Sequence, residues 1–192
     1  MLCLGPVAEA YAQMPGQSHA FGNSLEEWML KYWAWIFAGA DPDTNGEKNV
    51  VFLPLPAGEQ TDDDPPTFVG EAEVSLSVGD AFAVPLWFYG GFPEDDPDLF
   101  PDELFVDVVL ELTLDGEVIL DSEVDDLSEY LIGPAYYDEP VPFGSVEIAW
   151  IKGLGIVHHP LPPGEHTLHL FVYGEGFDTA FDNTWYITVS PH

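Results

Sequence analysis

From Val50 onward, apolar residues fall at every second position in short runs, and Pro, Gly and Asp separate the runs. A period of two is the mark of a strand with one wet face. In the clearest run, Leu104, Val106, Val108, Leu110, Leu112 and Leu114 share one face, and Asp107, Glu111 and Thr113 share the other. Asp115-Gly116 then makes a two-residue hairpin into Glu117–Leu120. Further strands are expected over 50–55, 71–78, 81–89, 146–157, 166–173 and 184–190, about eight in all. Pro85 inside one run marks an edge or a bulge, and residues 125–131 read as one helical turn. No strand–helix alternation occurs, which excludes Rossmann and TIM-barrel folds. The expected fold is mainly β, an antiparallel sandwich of jelly-roll or immunoglobulin-like type.

One helix precedes the strands. Ser24 and Glu27 form a capping box. Leu25, Trp28, Met29, Tyr32, Trp33, Ile36 and Phe37 then fall on one face of a helix over 25–37, and Trp35 widens it. Glu27 and Lys31 are spaced for an ion pair on the opposite side, and Gly39 stops the helix. A face with three Trp rings suits a broad partner such as a sheet. Upstream, Ala10-Tyr11-Ala12 is a small-x-small signature that places a cleavage before Gln13. Residues 1–12 are therefore read as the remnant of a secretory signal, 13–23 as a loose arm, and 24–192 as one sandwich domain. Cys3 is the only cysteine, so no intrachain disulfide forms. No apolar run approaches the roughly 18 residues of a membrane-spanning helix.

Charge restricts partners. The chain of 192 residues carries 35 Asp and Glu against 3 Lys and Arg, a net charge of −32. The three cations are Lys31, Lys48 and Lys152, and arginine is absent. Such a surface cannot neutralise a row of phosphates, which excludes nucleic acid and anionic membranes as partners. The lack of arginine and of a phosphate-cradling loop argues against phosphoryl transfer. With 46% hydrophobic residues the chain still has material for a core. The acidity fits a saline habitat, divalent cations such as calcium, or a basic partner.

Four constellations could carry chemistry. Asp41, Asp43 and Asn45 before Gly46 open like a calcium loop, with Glu47 as a further oxygen donor. The twelfth position, where that loop places a bidentate Glu, is Phe52, and the same stretch also makes a good turn. Glu94, Asp95, Asp96, Asp98, Asp102 and Glu103 put six carboxylates in ten residues, and Asp62–Asp64 adds three more. His158, His159, His166 and His169 flank one turn, but strand alternation lets at most one from each strand share a face. Trp87, Tyr89, Tyr136 and Tyr137 are candidate ligand-stacking rings for a neutral polysaccharide. No G-x-S-x-G elbow and no Cys/His pair is present.

Trp28-x4-Trp33-x-Trp35 leading to Val51-Phe52-Leu53-Pro54-Leu55 is one familiar stretch. Gly155-x2-His158-His159-Pro160-Leu161-x2-Gly164-x-His166-x-Leu168 is the other. Together they resemble a scattered group of uncharacterised secreted microbial β-sandwich proteins. The resemblance implies export and a sandwich, and it transfers no activity and no catalytic residue. The expected function is a secreted, non-catalytic, ligand-binding sandwich taking carbohydrate or a divalent cation in a saline setting. The alternatives are a secreted hydrolase or metal-dependent enzyme using carboxylates or the four histidines, and a structural or assembly subunit. Charge alone has one thermodynamic consequence. Self-repulsion among carboxylates fades as the screening length shrinks to about 3 Å near 1 M salt. The melting temperature should rise steeply from dilute buffer to molar NaCl, with KCl as control; a flat profile would remove salt adaptation from the reading.

Overall fold

The computed structural model describes residues 21–191. The expected signal remnant and most of the expected arm lie outside the described residues. The described end of the arm is tied down: Asn23 is buried, donates to Glu47 at 3.1 Å and accepts from Lys48 at 3.3 Å.

Helix α1 spans Leu25–Phe37. Its capping box is complete: the Ser24 hydroxyl accepts from Glu27 N at 3.1 Å, and the Glu27 carboxylate accepts from Ser24 N at 2.7 Å. Lys31 reaches Glu47, which lies beyond the helix in the chain. Leu25, Trp28, Met29, Tyr32 and Trp35 are the buried face, while Trp33 and Phe37 flank it.

Ten strands form two sheets among the described residues. They are β1 (Val50–Phe52), β2 (Ala57–Gln60), β3 (Thr67–Ser77), β4 (Ala81–Gly91) and β5 (Val109–Leu114). Then come β6 (Glu117–Asp121), β7 (Leu131–Phe143), β8 (Val146–His158), β9 (Gly164–Gly174) and β10 (Thr179–Ser190). The first sheet has the order β1-β4-β8-β7 and the second β2-β3-β10-β9-β5-β6. Pairing is antiparallel except for β1 with β4 and β3 with β10, which are parallel.

Layering explains the sequence pattern. The first sheet packs one face on α1, through Ala81, Ala83, Ile132, Ile148 and Ile151. Its other face meets the second sheet, through Phe82, Val84, Leu154 and Ile156. A strand covered on both faces reads as a continuous apolar run. Accordingly β8 is buried without a break from Trp150 to His158. The second sheet has one wet face, so β5 and β9 alternate, with Leu110, Leu112, Leu114, Leu168, Leu170 and Val172 inward.

Three sequence expectations change. The run from Leu104 is not one strand: Glu103–Val106 is a short helical turn, α2, and β5 begins at Val109. Buried Lys152 holds the preceding segment by donating to Phe100 O at 2.7 Å and pairing with Asp102 at 2.5 Å. Strand β7 escapes a search for alternation because Gly133, Pro134, Pro140 and Pro142 interrupt it, and its register against β8 shifts twice. β2 is short and fully exposed, so it carries no apolar signal. The Asp115-Gly116 hairpin forms as expected, with φ of 54° and 79° at its two turn residues, and the turn expected at 125–131 is a single 3-10 turn, Leu127–Tyr130.

Trp28 is fully buried and meets Phe52 edge-on at 6.3 Å. Trp28→Ala should cost about 3–5 kcal/mol in urea unfolding. Trp33→Ala, at a flank position, should cost clearly less; equal costs would contradict this division of the helix into face and flank.

Candidate ligand-binding cleft

The cleft arises because β1 is short. β1 pairs with only Ala81, Phe82 and Ala83 of β4. The chain then crosses to the second sheet through Leu53–Pro56. Two bonds fix that crossing: Tyr32 donates its hydroxyl to Leu53 O at 2.6 Å, and Trp185 Nε1 donates to Pro54 O at 2.8 Å. β4 runs on to Gly91, and among the described residues no strand pairs with this edge beyond Ala83. Beneath the uncovered lane the second sheet presents Phe68, Leu170, Phe181, Asn183 and Trp185. The resulting cleft has a volume of ≈ 530 Å³.

Pro85 shapes its upper wall. The β4–β8 register slips between Pro85 and Trp87. A bulge reverses which residues face inward. Phe82, Val84 and Leu86 join the intersheet core, and past the bulge so do Trp87 and Tyr89. Phe88 turns to the helix side and stacks on Trp33 with centroids 4.0 Å apart. Trp87 meets Phe177 and Phe181 edge-on at 5.4 and 5.8 Å. The cleft therefore lies along the free edge of β4, with rings on both sides of it.

Among the described residues, the lining carries no carboxylate, imidazole, amine or thiol. Its polar groups are few. Asn183 is 8% exposed, and its Oδ1 has no hydrogen-bond partner among the described residues. Trp33 Nε1 is likewise buried and unpartnered. At the rim, the Tyr89 hydroxyl donates to Asp95 at 3.4 Å, and the same carboxylate accepts from Phe92 N at 2.9 Å. Burial, with the Asp95 charge beside it, raises the Tyr89 pKa above the usual phenol value.

Of the four candidate stacking rings, Trp87 and Tyr89 line the cleft. Tyr136 stands 58% exposed on β7. Tyr137 packs against α1 and donates its hydroxyl to Leu30 O at 3.2 Å, and burial pushes its pKa up. The structure thus divides this set between two places. The rest of the lining comes from elements that sequence reading did not connect. Asn183 was the available signal, a polar residue in phase with Trp185, Ile187 and Val189.

The candidate calcium loop is tied into local structure. Asp41 Oδ1 accepts from Asp43 N at 3.0 Å. Both amide atoms of Asn45 bond the main chain of Phe52, at 2.8 and 3.0 Å. Glu47 takes Lys31 and Asn23, which hold its pKa below the usual value. Among the described residues, no three His, Cys, Asp or Glu side chains group closely enough to hold a metal ion.

Nor do the histidines gather. His158 is buried, stacks on Phe82 at 4.9 Å and bonds His159 O at 2.7 Å, while His159 is exposed. His169 pairs with Asp182 at 2.7 Å and His166 with Asp115 at 2.7 Å.

No protein-family model matches the chain, and no curated protein matches it in sequence. Among solved structures, the chain is similar to one described as PbICP-C in complex with falcipain-2. Identity is 15%, the match covers 73% of this chain and 98% of that one, and the TM-score is 0.29.

His166 gives the region a pH dependence. Its Nδ1 faces Asp115 Oδ2, and its Nε2 lies 2.9 Å from Pro162 O, so only the doubly protonated ring can donate to both. Burial opposes the charge, but Asp115 and the Pro162 carbonyl outweigh it and raise the pKa above 6.5. A raised folded-state pKa means the stabilisation is complete below the unfolded value and fades as pH climbs through the folded one. His166→Gln should therefore destabilise most below pH 6.5, with the difference in melting temperature shrinking in alkali. A pH-independent difference would show that the ring acts only by packing.

Proposed function

We propose that this protein is a non-catalytic, ligand-binding β-sandwich and that its ligand enters the aromatic cleft beside β4. One observation carries the reading. In a chain with 35 carboxylates, a ≈ 530 Å³ cleft is walled by aromatic rings and none of the described carboxylates lines it. General acid–base catalysis needs a titratable group within hydrogen-bond reach of the reacting atoms. Binding sites of roughly 300–1,000 Å³ are mostly apolar with a few placed polar groups. Asn183 and Trp33 supply such groups, an acceptor and a donor that a ligand could satisfy.

The ligand group that fits is apolar, with a face that packs on rings. A free sugar would leave most of its hydroxyls without partners in this lining, so ring stacking supports carbohydrate less well than an apolar moiety. The acidic surface supports a saline, extracellular setting, and Ala10-Tyr11-Ala12 supports export. Cations then act as loose counter-ions to the surface.

Nile red, a neutral dye that −32 of charge does not repel, is a suitable probe. It should brighten on binding the native protein. Leu55, 46% exposed in the cleft lining, can be changed without disturbing the core. Leu55→Asp puts a charge against an apolar ligand and should weaken dye binding by about tenfold or more at unchanged melting temperature. Absence of dye binding, or equal binding by both proteins, would refute the cleft as a ligand site.

A further inference from the structure

We infer that the cleft receives an extended segment of another polypeptide, which pairs with the free edge of β4, places apolar side chains among the rings, and carries Lys or Arg at its ends. This rests on the proposed ligand-binding function and names the ligand class of the same site. The main chain of β4 is set up for pairing. Ala81 N donates to Asn49 O, and Ala83 O accepts from Leu53 N, so odd-numbered residues here turn their bonding groups toward the β1 side. Pro85 is next in phase and has no N–H. The slip at Leu86 then moves the phase by one, which by strand alternation turns the N–H and C=O groups of Phe88 and Gly90 toward the side where no described strand pairs. An uncovered row of this kind is a template for another strand.

The space has the shape of a strand. The cleft is the continuation of the lane that β1 occupies, so a strand laid there would extend the first sheet over exposed rings. Its side chains would alternate between the interior, near Phe181 and Trp185, and the helix side, near Trp33 and Phe88. Among the described residues the other edges lack this combination: β7 carries three prolines, β2 is polar, and β1 and β6 are short.

Charge selects the ends of the segment. Asp62–Asp64 precede Phe68, Glu94–Asp96 follow Tyr89, and Glu175 and Asp178 flank Phe177. Phe68, Tyr89 and Phe177 all line the cleft, so three acidic loops run into its lining. The three lysines pair elsewhere, Lys31 and Lys48 with Glu47 and Lys152 with Asp102. A basic peptide end meets complementary charge here, and an acidic one is repelled.

The probe is a short synthetic peptide of alternating phenylalanine and threonine with lysines at both ends. Three controls accompany it: the same peptide N-methylated along one edge, the same peptide with glutamates for lysines, and Nile red. The lysine peptide should bind, displace the dye, and lose about tenfold or more in affinity on N-methylation, since two or more main-chain bonds are removed. Gly90→Pro deletes one outward N–H and should weaken the peptide but not the dye; the N-methylated peptide keeps the test sharp if that variant folds poorly. The glutamate peptide should bind more weakly, with the gap closing at high salt. If the dye binds and the peptide neither binds nor displaces it, the inference fails while the cleft remains a small-molecule site. Equal affinity after N-methylation refutes strand pairing, and equal affinity of the glutamate peptide refutes charge selection. Dye-sensitive dimerisation in sedimentation would assign the lane to a second copy and overturn the inference. If neither dye nor peptide binds, the ligand-site reading falls with it.

Discussion

The packing of α1 against the first sheet governs most of the architecture. Trp28, Met29 and Tyr32 press onto Ala81, Ala83 and Ile151, so small residues of the sheet meet large residues of the helix. Gly155 shows how close the approach is: a Cβ there would lie 2.4 Å from Met29 Sδ. With the helix on one face and the second sheet on the other, β4 and β8 have no wet face. Each ring of Trp or Tyr size removed from water contributes a few kcal/mol, and here they line both sides of one sheet.

That arrangement also explains where the charge can go. With 35 carboxylates and three lysines, nearly every acid must stay hydrated. The exposed outer face of the second sheet, its edges and the loops hold them. Lys152 is the buried exception among the cations. It reaches Asp102 and the Phe100 carbonyl and lies over the Phe105 ring, so its charge has an anion, an acceptor and a π face. Through it, the segment around α2 is fastened to β8. The acids at 94–103 therefore serve partly as structure: Asp95 and Asp96 cap turns, and Asp102 anchors the lysine.

The cleft is a by-product of a strand that ends early. Tyr32 and Trp185 bond the carbonyls of Leu53 and Pro54 and direct the chain off the first sheet. The bulge at Leu86 then sets Trp87 and Tyr89 toward the interior and Phe88 toward Trp33. Without the bulge, Trp87 would face the helix and the cleft would lose a wall. Binding in such a place relies on shape and ring contact, with Asn183 and Trp33 giving direction.

The β class, the capped helix at 25–37, the Asp115-Gly116 turn and the inward phase of Val108–Leu114 were legible from residues alone, because each depends on neighbours in the chain. Period, capping and turn chemistry are local, and local rules suffice for them. Pro85 announced an edge or a bulge, and β4 has both. The parallel pairings, the strand β7 with its prolines, and the break at α2 depended on partners far along the chain. The candidate site divides the same way. Aromatic content marked Trp87 and Tyr89, but the same content marked Tyr136 and Tyr137, which stand elsewhere. Composition therefore determined a charged, aromatic-rich β protein. Only the tertiary structure decided which rings share a cleft, because Trp33, Phe68, Phe88, Phe177 and Trp185 come from distant segments and no periodicity within one segment relates them.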